Sequence, residues 1–85
     1  MRGTMKDTSN LELYYRNFCG FSRKVLDYME EHGISMTTHC LQTEEGAEER
    51  LVELGGKAQV PCLIIDGKAL YESDDIIAYL AGNVA

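Results

Sequence analysis

The sequence predicts a small α/β protein in which four strands and three helices follow one another as βαβαββα and form a layered sandwich around a four-stranded mixed sheet. Three observations predict it. Short apolar runs alternate with longer segments of helical spacing. An Asp66-Gly67 dipeptide separates two short apolar runs, as in a tight hairpin. The chain of 85 residues, 45% apolar with a single proline, suffices for one core and not for two.

The polar start, Met1 to Asn10, reads as a disordered tail, which leaves one domain over residues 11–85. "LELYY", Leu11 to Tyr15, is rich in strand formers and places Leu11, Leu13 and Tyr15 on one face. A helix follows over Phe21 to His32, with Val25, Leu26 and Met29 facing inward and Gly33 as its stop. "ISMTTHCL", Ile34 to Leu41, is the second strand, parallel to the first because a crossover helix joins them. Thr43 is the expected cap of a second helix with Glu44 and Glu45 near its positive end, Ala47, Leu51 and Leu54 on its inner side, and Gly55-Gly56 at its close. The runs on either side of Asp66-Gly67 are strands three and four. Ser73 as N-cap, with Asp74 and Asp75 in the first turn and Ile76, Ile77 and Leu80 inward, starts the last helix.

Charge and cysteine usage exclude several classes of function. A net charge of −6 without a basic stripe argues against nucleic acid and against an anionic membrane surface as partners. No apolar run is long enough for a signal peptide or a membrane span. The three cysteines, Cys19, Cys40 and Cys62, are odd in number and far apart, which suits neither a disulfide framework nor a zinc site and points to a reducing, cytoplasmic setting.

The chemistry is expected at Cys19, at the junction of the first strand and first helix. A helix N-terminus and neighbouring cations both lower a thiol's pKa. Arg16, Arg23 and Lys24 are close in sequence, and no acid occurs from Leu13 to Leu26. The competing reading is a small core residue beside a solvated basic face. Placement at the junction favours the nucleophile, and one of the flanking Phe18 and Phe21 is expected to line a groove. Cys40 and Cys62 are most simply core residues, and His39-Cys40 is a weak metal pair.

"YYRNFCGFSRKVLDYM" and "KAQVPCLIIDGKALYESDDIIAYL" together resemble a glutaredoxin over Leu11 to Gly82. The resemblance implies a thioredoxin-like fold, glutathione as co-substrate, and glutathionylated or disulfide-containing proteins as partners of a monomer. It makes Cys19 the nucleophile, with Arg16 near the glycine carboxylate of glutathione and Phe21 against the tripeptide. It implies that Val60 offers backbone groups ahead of a cis Pro61, and that Ser73 and Asp74 hold the γ-glutamyl end. Lys57 is a further contact, with simple solvation as its alternative. Each accessory residue also has a purely structural reading: a cap, a dipole partner, a strand-start proline.

Ser22 replaces the second cysteine of a CxxC pair, so the implied enzyme is monothiol. "CGFS" also resembles monothiol glutaredoxins that share a [2Fe–2S] cluster between two subunits, with Cys19 as this chain's ligand in a dimer. Arg16 directly on the approach to Cys19 and "GGKAQVPCL" depart from that class, toward small bacterial glutaredoxins. "VPCLIIDGKALYESDDIIAYLA" is similar to the N-terminal domain of glutathione transferases. That similarity predicts a following helical domain and ranks behind the other two because the chain stops at Ala85.

Overall fold

A computed structural model describes residues 8–84. The elements run β1 (Leu11–Tyr15), α1 (Gly20–Glu31), β2 (Thr37–Cys40), α2 (Ala47–Gly55), β3 (Cys62–Ile65), β4 (Lys68–Tyr71) and α3 (Ser73–Asn83). They form one four-stranded sheet in the order β2-β1-β3-β4. β1 pairs in parallel with β2, Leu13 opposite Thr38, and antiparallel with β3, Leu13 opposite Leu63. β3 and β4 form the expected hairpin, in which Asp66 and Gly67 both take positive φ, 51° and 83°, as a two-residue turn that follows strand twist requires.

The sheet is covered on both faces. Leu11, Leu13 and Leu63 meet Val25 and Met29 of α1 and Ile76 and Leu80 of α3 on one side. Tyr14, Cys62 and Ile64 meet Ala47 and Leu51 of α2 on the other. β1 is therefore buried on alternate residues of both faces, so Tyr14 is as central as the leucines, while Tyr15 is half-buried.

Three expectations about element ends and one about the core are corrected. β2 begins at Thr37 rather than Ile34, because Ile34 is used to close α1. Its N–H donates to the Met29 carbonyl at 2.9 Å and that of Gly33, at φ 66°, to Glu30 at 3.4 Å. That pairing is a Schellman cap. Thr43 does not cap α2: residues 41–46 form turns, Gly46 at φ 83° is the N-cap, and Glu48 and Glu49 occupy the first turn. Leu54 is 37% exposed and does not face the core, whereas Leu51 is fully buried. Ser73 is the first residue inside α3, and the N-cap is Glu72 at φ 75° with no capping side-chain bond.

Of the expected tail, Met1 to Asp7 lie outside the described residues. Thr8 to Asn10 are tied to the fold: the Thr8 hydroxyl donates to the Ser35 carbonyl at 2.6 Å, and the Asn10 carbonyl accepts from Asp66 N–H at 3.0 Å.

The two leucines of α2 provide a direct check. Leu51→Ala opens a cavity under the sheet and is expected to cost about 2–5 kcal/mol in denaturant unfolding, whereas Leu54→Ala is expected to cost less than about 1 kcal/mol. Equal losses would place Leu54 in the core after all.

Candidate active site at the start of the first helix

The chain leaves β1 at Tyr15 and reaches α1 through Arg16, Asn17 and Phe18, which brings Cys19 to the N-cap position with extended backbone, φ −108° and ψ 119°. Cys19 makes no capping side-chain bond to its helix in the usual Ser or Asp manner. Its sulfur is instead acted on electrostatically by the first turn of α1. The Ser22 N–H is the main influence lowering the Cys19 pKa; partial burial opposes it, and the Ser22 hydroxyl, the Phe21 N–H and the Arg16 charge add to the lowering. These are the unpaired donors of a helix start, which favour a thiolate.

Ser22 is completely buried, and its oxygen also accepts the Arg16 N–H at 3.4 Å. Position 22 therefore carries a hydroxyl that supports the Cys19 thiolate and ties the incoming loop to the helix. Cys19 is partly exposed, and Phe18 and Phe21 beside it are 94% and 67% exposed. The core reading of Cys19 does not fit this placement.

Phe21 links the thiol to a groove. Its backbone faces Cys19, and its side lines a cavity of about 270 Å³ completed by Gln59, Val60, Pro61, Glu72 and Ser73. The Val60–Pro61 bond is cis. Of the residues named from the sequence, Phe21, Val60, Pro61 and Ser73 come together here. Gln59 and Glu72 were not anticipated; Gln59 Nε2 donates to Glu72 Oε2 at 3.2 Å between the loop before β3 and the start of α3. Their adjacency to Val60 and Ser73 was the available signal.

The other named residues take different partners. Arg16 lies 3.7 Å from Glu48 of α2, and Asp74 forms an exposed ion pair with Lys24 that bridges α3 to α1. The Lys57 Nζ sits over the Tyr71 ring at 4.6 Å, away from the groove lining. The basic cluster around Cys19 is thus largely paired, since Arg23 meets Asp27 at 3.1 Å, and Arg16 is the cation that acts on the sulfur. Exposed pairs of this kind contribute little energy.

The remaining thiols differ. Burial, opposed by bonds from Tyr71 and the Leu70 N–H and by the Lys57 charge, pushes Cys62 up to about 11. Burial also raises Cys40, but the Thr43 hydroxyl and the N–H groups of Gln42, Thr43 and Asn17 outweigh it and leave the pKa below its ordinary value. Among the described residues no three His, Cys, Asp or Glu side chains are grouped to hold a metal ion. No described helix is long and apolar enough to cross a membrane.

The order of elements, the cysteine at the mouth of α1 and the cis proline across the groove define a thioredoxin-like domain of the kind shared by glutaredoxins and glutathione transferases. The chain belongs to the family described as "Glutathione S-transferase, N-terminal domain", which it matches over residues 18–82. The unclassified glutathione S-transferase 2 of Bombyx mori is 31% identical with a TM-score of 0.75, over 89% of this chain and 36% of that one. Wheat glutaredoxin is 27% identical with a TM-score of 0.67, over 88% and 72% of the two chains. The buckwheat glutaredoxin–glutathione complex has the same fold at 20% identity and a TM-score of 0.68, over 92% and 84%. This chain spans about a third of the silkworm transferase. A search of the curated proteins by sequence found no match. The transferase similarity, placed last in the reading of the sequence, is the one that the family match selects.

Two measurements follow from the thiol environments. Ser22→Ala removes one donor to the sulfur and is expected to raise the Cys19 pKa in a titration of thiolate absorbance, with Ser22→Thr restoring part of the shift; an unmoved midpoint would take the hydroxyl out of the site. Cys62 has a folded pKa of about 11 against an ordinary 9.0, so its contribution to stability is present below the ordinary value and is lost as pH rises through that interval. Cys62→Ala is accordingly expected to flatten the alkaline fall in stability, read from denaturant midpoints across that range.

Proposed function

We propose that this domain is a glutathione-dependent thiol–disulfide oxidoreductase acting through Cys19. What supports the reading is one juxtaposition: a partly exposed thiol held toward its thiolate by Ser22, beside a groove lined by Phe21, the cis Val60–Pro61 segment and the start of α3. The groove has a size suited to a tripeptide portion, and the helix start at Ser73 suits a carboxylate. In this reading Val60 pairs through its backbone with the cysteinyl part, and Ser73 with Asp74 takes the γ-glutamyl end, Asp74 in competition with Lys24. Arg16 offers a charge to the glycine carboxylate in competition with Glu48. Lys57, engaged with Tyr71, is the weakest of the assigned contacts.

In the proposed cycle the Cys19 thiolate attacks the glutathionyl sulfur of a mixed disulfide. The partner leaves as a thiolate and takes up a proton, and Cys19 carries glutathione in disulfide linkage. A second glutathione thiolate attacks the glutathione sulfur of that linkage, releases oxidised glutathione and returns Cys19 as thiolate. No second protein cysteine is required, which fits Ser22 at the fourth position of the motif. The three free cysteines fit a reducing compartment such as the cytoplasm.

The family match favours a second reading, in which the domain supplies the glutathione site of a two-domain transferase. Incubation with oxidised glutathione is expected to give one adduct, mapped by mass spectrometry to Cys19 and absent in Cys19→Ser. Turnover of a glutathionylated peptide then separates exchange from conjugation of glutathione to an electrophile; conjugation without exchange would replace the first reading with the second. Arg16→Gln is expected to weaken glutathione capture about two- to five-fold at low salt and less at high salt. An unchanged glutathione dependence at low salt would remove Arg16 from the binding site.

A further inference from the structure

The loop that delivers Cys19 to α1 is anchored laterally. Asn17 N–H, two residues before the thiol, donates to Gln42 Oε1 at 2.7 Å across 25 residues of sequence. Gln42 is itself exposed, and its position comes from the turn in which it stands. Leu41 N–H donates to the Tyr15 carbonyl at 2.9 Å, and the N–H groups of Thr43 and Glu44 donate to the Cys40 carbonyl at 3.2 and 2.9 Å.

That turn is locked from the sheet. Glu44 accepts from His39 Nδ1 at 2.8 Å and lies 3.5 Å from Arg50 Nη1. The other ring nitrogen of His39 is 2.8 Å from Glu12 Oε1 on β1, and the buried ring stacks on Tyr14 with centroids 4.6 Å apart. The clamp runs from β1 through β2 into the turn and ends on the backbone that carries the thiol.

We infer that Gln42 is a positioning residue for Cys19: by pinning the Asn17 amide it fixes the approach of the chain and so holds the sulfur against the Ser22 donors. The role rests on the reading of Cys19 as the reacting thiol. Without the bond, Arg16 to Phe18 keep the influence of the Asn17 N–H on Cys40, the exposed Arg16–Glu48 pair, and the 3.4 Å contact of the Arg16 N–H with Ser22, which is long for a hydrogen bond. Gln42 touches neither the sulfur nor the groove lining, so its influence passes through Asn17 alone.

The test compares Gln42→Ala with Gln42→Glu, which keeps an acceptor oxygen at the same reach. Both substitutions are at an exposed turn and leave the core intact. Three quantities are read: hydrogen exchange at the Asn17 amide, the pH profile of Cys19 alkylation by iodoacetamide with mapping by mass spectrometry, and adduct formation with oxidised glutathione. Gln42→Ala is expected to speed Asn17 exchange about two- to ten-fold, the span of one hydrogen bond, and to move the alkylation profile toward higher pH. Gln42→Glu is expected to restore the slow Asn17 exchange. If Gln42→Ala frees the Asn17 amide while the alkylation profile stays in place, or if the exchange is unchanged, the positioning role is wrong. Iodoacetamide needs no glutathione, so the two readings fail separately. A shifted profile in a protein whose wild-type form takes no glutathione would keep Gln42 in its role and overturn the oxidoreductase assignment.

Discussion

The start of α1 is the constraint on which the site depends. A helix offers free N–H groups in its first turn, and here they converge on a sulfur because the residue at the cap is cysteine. The helical step then sets the rest: Phe21 points outward to the groove while Ser22, one position on, is buried beneath the thiol. Ser22 is tolerated in an apolar setting because its hydroxyl has both an acceptor partner in Cys19 and a donor in the Arg16 amide. A second cysteine in that place would put a weaker donor under the thiolate and provide a competing disulfide partner. The serine keeps the support and removes the competition.

Three thiols in one small domain show how strongly environment selects chemistry. Cys19 has donors from a helix start and an opening to solvent; Cys62, one residue beyond the cis proline, is fully buried on the α2 face of the sheet with its pKa pushed up to about 11. Cys40 is buried yet surrounded by N–H groups of the turn after β2. Lowered pKa alone does not make a site: Cys40 shares the direction of shift with Cys19 and lacks both its exposure and its groove. Access and donors coincide only at residue 19.

The order of elements was legible in the sequence because each rests on a local pattern: Leu11 and Leu13 alternating, Val25 and Met29 at helical spacing, Asp66-Gly67 turning a hairpin. So was the junction placement of Cys19. What escaped was decided by partners distant in sequence. Ile34 has the composition of a strand residue but closes α1 instead, and Thr43 has the side chain of a cap but stands in a turn that His39 and Glu44 organise. Arg16, Arg23 and Lys24 form a basic run in the chain, yet two of them meet acids from α2 and α3, Glu48 and Asp74, that no local reading pairs with them. Gln59 and Glu72 meet across the groove by the same rule, and Tyr14 is buried because β1 is central, a fact of topology rather than of periodicity.

The family to which the chain belongs leaves two chemistries open to Cys19, and charge separates them. To activate glutathione for conjugation, a side chain must stabilise the thiolate of the ligand, which calls for a donor. A cysteine whose charged form is favoured becomes an acceptor once ionised, and a second thiolate beside it is then disfavoured by like-charge repulsion. Ser22, the Phe21 N–H and Arg16 all favour the charged form of Cys19, so the same groups that make it a better nucleophile make it a poorer donor to glutathione. A disulfide sulfur carries no charge and meets no such opposition. The electrostatics at the start of α1 thus support the proposed exchange reading over activation.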